Sequence, residues 1–317
     1  MVRAVYERNA GTFCPNPAAA GFLYALGAYG SWGLLPVYWK QLTSVPVLEI
    51  LAHRVVWSLV FTAFLLTVWS GWREVHAALS SRRNLVTLLA TSLLIATNWL
   101  LFIWAVTHGE VLASSLGYFL NPLVNVVLGV LFLGERLRPL QVASIALAGI
   151  GVVPMAVSAG GLPWISLALA LSFGLYGLLR KVAPMAPLVS LTIETALLSP
   201  VAVFYLAWRE VRGGSALWGG DAHTALLLFF AGIVTAVPLL WFASAAERLR
   251  LSTLGFFQYL APSGHFLLAV LAYGEAFGLA HGVAFGCIWG ALAVYSMDAL
   301  RAQRAQHSVE LARGTAS

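Results

Sequence analysis

Charge is scarce in this chain: 9% of its 317 residues are Asp, Glu, Lys or Arg, where a soluble domain carries about 25%. With 60% hydrophobic residues and a mean hydropathy of +0.86, it has too little polar surface to face water, and lipid is its expected solvent. Cysteine is nearly absent. Cys14 and Cys287 offer neither a disulfide framework nor the C-x-x-C spacing of a metal site, so no metal and no cofactor is expected. There is no G-x-x-x-x-G-K-S/T loop, no H-E-x-x-H and no G-x-S-x-G, which argues against a nucleotide site and the common hydrolase centres. The longest polar stretch, around 209–222, is too short to fold alone. The chain therefore reads as a non-enzyme. No cleavable signal peptide is expected, because residues 1–18 are polar and the first apolar run lacks a cleavage site.

Long apolar runs fill the rest. A helix crossing ~30 Å of hydrocarbon needs about 20 apolar residues, and ten such runs occur, roughly at 20–39, 48–70, 85–107, 111–133, 139–158, 163–180, 187–208, 223–243, 252–272 and 278–297. Continuous apolarity without strand-like alternation makes them helices. Placing the N-terminus inside leaves only Lys40, Arg209 and Arg212 in outer loops and Arg54 within a span; the other fourteen of the 18 Lys and Arg face the cytoplasm. That asymmetry predicts cytoplasmic termini in a plasma (inner) membrane. The net charge of +6 is explained by these loops, and nucleic acid is not an expected partner.

The two halves echo each other. Leu120, Pro122, Leu128, Val130, Leu131, Gly134 and Glu135 reappear 140 positions later as Leu260, Pro262, Leu268, Val270, Leu271, Gly274 and Glu275. Gly30 and Gly33 echo in Gly174 and Gly177, and Glu49 in Glu194. Five spans per half is an odd number, so the second half is expected upside down. The predicted fold class is all-α: a polytopic membrane protein with ten transmembrane helices in two inverted five-helix repeats, 20–158 and 163–297, between tails at 1–19 and 298–317. Such repeats place a site at their interface and work by alternating access.

Several blocks resemble a known family. The stretch Ala28 to Lys40 (AYGSWGLLPVYWK), Glu49 to Arg54 (EILAHR), Asn98-Trp99-Leu100 and Ser114 to Leu123 (SSLGYFLNPL) resemble the RarD branch of the EamA group, within the drug/metabolite transporter superfamily. Leu162-Pro163-Trp164, Ser172 to Gly177 and Glu194-Thr195 extend the likeness to about residues 21–297. It is looser in the second half, where Ala261-Pro262 stands for Asn121-Pro122. The resemblance implies two EamA-type repeats, a plasma-membrane location and export of a small amphipathic metabolite or drug-like solute. It implies no particular substrate.

Polar residues inside spans are the candidates for substrate binding or coupling, since each needs a partner or a wet cavity. Glu49 and His53 stand at i, i+4 with Arg54 beside them. An ion pair of Glu49 with His53 or Arg54 is one reading; an anion-binding Arg54 or a titrating Glu49/His53 pair is the other. Glu194 has no basic neighbour within four residues, and a carboxylate at that depth suits proton coupling unless Arg180, Lys181 or Arg54 pairs with it across spans. Asn98, Asn121 and Gln258 are hydrogen-bonding groups in spans. Tyr118, Asn121 and Gln258 also flank the repeated prolines, where a broken helix commonly lines a solute site. Tyr29, Trp32 and Tyr176 lie deep beside the repeated glycines and suit either core packing or an aromatic wall. Tyr38, Trp39 and Lys40 end the first span and are expected in the interfacial belt. Gly282, Gly286 and Gly290 form one small face for close helix approach, and both a monomer and a homodimer are compatible with the sequence. The expected partners are the bilayer, a small-molecule solute and a proton. The rival readings are a non-transporting receptor or assembly partner and an intramembrane enzyme.

Overall fold

The computed structural model describes residues 17–69, 71–134, 138–158, 163–182, 185–219, 221–248 and 257–314. Every regular element among them is helical: α1 (Pro17–Lys40), α2 (Val47–Val68), α3 (Trp72–Leu79), α4 (Arg82–Thr107), α5 (Val111–Leu133), α6 (Pro139–Ser158), α7 (Trp164–Val182), α8 (Pro187–Val211), α9 (Ala216–Gly219), α10 (Ala222–Arg248), α11 (Leu260–Leu267, continued by a π-turn Leu268–Ala272) and α12 (Leu279–Gly314). Five of them are long and apolar enough to cross a membrane by length and composition: Val47–Val68, Arg82–Thr107, Val111–Phe132, Pro187–Val211 and Ala222–Phe242. Shorter apolar helical stretches cover Pro139–Gly151, Trp164–Arg180, Leu260–Ala272 and Leu279–Tyr295.

The helices begin and end where local chemistry stops them. Ser81 accepts from the Asn84 N–H at the start of α4. Gly134 and the repeated Gly274 both take left-handed φ, 66° and 62°, a conformation that costs glycine nothing and ends a helix. Three features depart from the sequence reading. The short helix α3 occupies the connection after α2, and α12 runs on to Gly314 although its apolar run ends near residue 297. The expected break at Pro122 is absent, since α5 is continuous through it, whereas Pro262 stands in the first turn of α11. A proline in that turn removes no intrahelical hydrogen bond.

Polarity is distributed inside out. Val157, Phe204 and Leu271 are about three-quarters exposed, at 76%, 74% and 77%, while Glu49, His53, Arg54, Asn98 and Glu194 are buried. Lipid-solvated outer faces account for both observations. Packing is by facing helices: α2 on α8, α6 on α12, α10 on both α1 and α2, α7 on both α4 and α5, and α11 on both α1 and α5. One end of the bundle gathers Lys40, Val111, Arg209, Ala216 and Glu275; it is called here the Lys40 end, and the opposite one the Arg180 end. At the latter, Arg138, just before α6, pairs with Asp298 of α12 at 2.7 Å.

Small residues set the closest crossings. A Cβ on Gly232 of α10 would overlap the main chain of Trp57 and Ser58 in α2, and Ser58 Oγ donates to the Gly232 carbonyl at 3.4 Å. α1 and α11 meet at Gly33 and Gly264, where a Cβ on Gly264 would lie 3.0 Å from the Gly33 Cα. The α6–α12 contact uses Gly151 against Ala284 and Cys287. Gly286, expected at a close approach, has nothing within 4 Å of its added Cβ. Gly232→Ala is therefore expected to cost about 3 kcal/mol through backbone overlap, and Gly286→Ala close to nothing; unfolding of the purified variants in detergent checks the contrast.

Candidate functional site

Seven residues past the start of α2, roughly 10 Å below the Lys40 end at 1.5 Å per residue, stands Arg54, only 5% exposed. Its guanidinium carbon lies 4.1 Å from the Trp99 ring centroid and 5.2 Å from that of Trp39. The two indoles belong to different apolar clusters, Trp39 with Phe102 and Phe119, Trp99 with Ala52 and Leu191, so Arg54 marks the seam between them. Nε and Nη1 have no hydrogen-bond partner among the described residues, and neither ring nitrogen of neighbouring His53 has one.

A polar layer adjoins this seam. Asn98 of α4 donates to the Leu169 carbonyl at 3.1 Å and to Ser172 Oγ at 3.0 Å, both on α7, and accepts from the Tyr118 hydroxyl at 3.3 Å. Tyr118 is close enough to Arg54 to interact with it electrostatically. Its ring meets Phe102, Phe173 and His265 edge-on. His265 Nε2 lies 2.8 Å from the Trp32 carbonyl; a carbonyl only accepts, so that nitrogen carries the proton. Tyr29, Trp32, Phe242 and Phe257 form a neighbouring aromatic group, with Tyr29 5.2 Å from Trp32 and 5.9 Å from Phe242.

Glu194 lies near the opposite end. It is 1% exposed, Oε2 accepts from the Tyr176 hydroxyl at 3.4 Å, and Oε1 has no partner among the described residues. Arg180 stands 6.0 Å over the Tyr176 ring and donates to the Met185 carbonyl at 3.2 Å. It makes no ion pair with Glu194 among the described contacts.

The predicted residues thus fall into separate places. Arg54, Asn98 and Tyr118 come together; Glu194 and Tyr176 form a second site; Tyr29 and Trp32 line a third group that touches the first through His265. Asn121 is buried with Oδ1 unpartnered among the described residues, and Gln258 is half-buried in the turn before α11. Glu49 does not pair with His53 or Arg54. Its Oε2 accepts from Arg209 Nη2 at 3.0 Å and Nε at 3.2 Å, and its Oε1 from the Ala216 amide at 2.6 Å. Arg209 also bonds the Gly214 carbonyl. Glu49 is a clamp between α2 and the α8–α9 turn.

Glu275 makes a second clamp; its oxygens accept from the Val111 amide at 2.9 Å and the Leu112 amide at 2.7 Å, at the start of α5. An anion there complements the helix dipole. Its repeat mate Glu135 lies outside the described residues.

Trp39 was expected in the interfacial belt and is instead fully buried, while Tyr38 bonds the Leu227 carbonyl and Lys40 stands over Tyr273 at 4.2 Å. The signal for Trp39 was its spacing. Tyr29, Trp32, Pro36 and Trp39 follow at i, i+3, i+7 and i+10, one stripe of a helix.

An all-helical chain with apolar outer faces and a charged, aromatic-lined interior defines an integral membrane protein. Residues 19–157 match the EamA-like transporter family. An uncharacterized transporter of Vibrio cholerae is 49% identical over 288 residues, which is 91% of this chain and 95% of that protein. Protein RarD of Escherichia coli is 47% identical over 284 residues, 90% of this chain and 96% of that protein. A crystal structure at 22% identity shares the fold, with a TM-score of 0.58 over 89% of this chain and 97% of its own. The chain belongs to the EamA-like transporter family, in its RarD branch.

Breaking the Glu49 clamp from one side leaves a partly buried cation unpaired, so Glu49→Gln is expected to cost about 3 kcal/mol. A double-mutant cycle with Arg209→Gln in detergent-solubilised protein measures the coupling, which should be far above the ~0.5 kcal/mol of an exposed pair.

Proposed function

We propose that the protein is a secondary transporter working by alternating access, with ten membrane-crossing helices in two inverted repeats, 20–158 and 163–297. Its termini are cytoplasmic in the inner membrane, and it carries a small amphipathic solute outward. The packing supports two related halves. The α2–α8 and α6–α12 contacts each join counterpart helices, the α10 contacts with α1 and α2 match those of α4 with α7 and α8, and the α11–α1 contact matches α5–α7.

One observation carries the reading. Counted from their N-caps, Pro46 and Ala186, α2 and α8 bear Arg54 and Glu194 at the same eighth position. Because these two helices start from opposite ends of the bundle, the residues sit at equal depth from opposite surfaces. Each is a buried charged-type side chain without an ion pair among the described residues. A receptor or a one-sided enzyme has no use for this two-ended placement, whereas a carrier that opens alternately to each side does. Glu194, held by Tyr176 with Thr91 and Arg180 nearby but without an ion pair among the described residues, is the candidate for proton coupling.

Solid-supported membrane electrophysiology on reconstituted protein tests this. Amino acids, small aromatics, organic cations and chloramphenicol are screened across a pH gradient. A solute-dependent current is expected in the wild type, and Glu194→Gln should remove its pH dependence while the protein stays folded. Specific solute binding in detergent, with neither current nor radiolabel uptake, would defeat the transporter reading in favour of a receptor. Net inward flux under a physiological gradient, in vesicles of known orientation, would defeat export.

A further inference from the structure

We propose that Arg54 recognises a carboxylate, and that the solute is an organic monoanion with a flat apolar body held against Trp39, Trp99 and Tyr118. The inference gives the substrate class of the transporter reading, but its test below reads binding and not flux.

The charge balance of the interior leads to this. Glu49 is taken up by Arg209 and the Ala216 amide, Glu275 by the start of α5, and Asp298 by Arg138. Glu194 is bonded to Tyr176 near the opposite end. No acid among the described residues is left to neutralise Arg54, which is more than nine-tenths buried. A buried cation without a counter-charge is retained where a ligand supplies one.

The geometry narrows the ligand further. Trp39 and Trp99 occupy the space around the guanidinium at 5.2 and 4.1 Å from its carbon. Cation–π contact compensates only part of a buried charge. The unfilled donors are Nε and Nη1, so each fork of the guanidinium, Nε with Nη2 or Nη1 with Nη2, contains one. A planar carboxylate meets such a fork with two parallel hydrogen bonds. Among the described residues at the site the guanidinium is the one permanent cation: His53 is an imidazole without a hydrogen-bond partner, His265 donates one proton to the Trp32 carbonyl, and Asn98 and Tyr118 are neutral. A monoanion balances it, whereas a phosphate monoester would leave net negative charge, and a cationic solute would be repelled. The apolar body follows from Phe102, Tyr118 and Phe173 on the adjoining wall.

The test uses the purified full chain in detergent and three probes of one shape: phenylacetate, phenylacetamide and phenethylamine. Acetate, benzoate and indole-3-acetate serve as further carboxylates. Tryptophan fluorescence and thermal unfolding report binding. Phenylacetate should half-saturate at a concentration about tenfold or more below the amide, and the amine should have no effect. Arg54→Lys should weaken phenylacetate by about tenfold, and Arg54→Met should abolish its binding. With its unpaired charge gone, ligand-free Arg54→Met should unfold no earlier than the wild type. Equal response to the three probes, no response to any carboxylate, or wild-type affinity in Arg54→Met each overturns the proposal. So does early unfolding of ligand-free Arg54→Met restored by Arg54→Lys, which would make Arg54 a structural cation. Carboxylate binding without flux would sink the transporter reading and leave this one standing, and flux of a neutral solute would do the reverse.

Discussion

Lipid cannot hydrogen-bond, and the rest of this structure follows from that constraint. A polar group inside the bundle must find a partner on the chain; many serines and threonines, such as Thr62, Ser92 and Thr195, bond a carbonyl of their own helix, and a second set reaches another helix. Ser115 reaches the Pro262 carbonyl, Ser166 the Ala113 carbonyl, Asn98 the α7 backbone, His265 the Trp32 carbonyl and Tyr38 the Leu227 carbonyl. Each of these bonds joins two helices, so polar side chains choose the neighbours while glycines such as Gly232 set the distance. With the outer faces as apolar as the tails around them, apolar contact alone would not specify which helices meet. Against this satisfied polarity, Arg54, His53 and Glu194 stand apart as ionisable side chains among the buried groups with unpartnered atoms.

The repeated features are mostly those of the backbone. Gly134 and Gly274 keep the same left-handed turn at the ends of α5 and the π-turn after α11, and α2 and α8 start at equivalent N-caps. The side chains differ: Asn121 stands 140 positions before Ala261, and counted from the N-caps Pro46 and Ala186 it is Arg54, not Glu49 as the sequence echo suggested, that matches Glu194. Helix ends and crossings are constraints on geometry that both halves must obey. The chemistry at the seam has no such obligation, so a cation and an acid stand at equal helix positions in α2 and α8.

Much of the fold was legible because helix formation in lipid depends on local apolarity. The observed ends of α5 and α6 coincide with the sequence reading at 111–133 and 139–158. The connections were less legible. The helix α3 is amphipathic and short, and rests on α4 and α8 at the surface, so no long apolar run announces it. Arg54, Asn98 and Tyr118 were visible as polar groups in spans, yet their meeting depends on which helices cross. Trp39 was misplaced because nearness to a helix end was read as nearness to water. In fact α1 is covered there by neighbours, and the three-to-four spacing with Trp32 was the better guide. The partners of Glu49 and Glu275 lie about 160 residues away and depend on antiparallel packing that no local pattern encodes.

Arg54 and Glu49 show how local spacing decides a distant outcome. They are opposite charges five residues apart on one helix, and proximity in sequence suggests a pair. Five residues turn an α-helix by about 140° beyond a full circle, so the two side chains leave α2 on different sides. Glu49 faces the α8–α9 turn, where the fork of Arg209 and the Ala216 amide fill its oxygens. Arg54 faces the seam with Trp39 and Trp99. A spacing of four would have let the two neutralise each other and closed the seam with an internal ion pair. The spacing of five satisfies the acid elsewhere and keeps the cation unspent at the centre of the bundle.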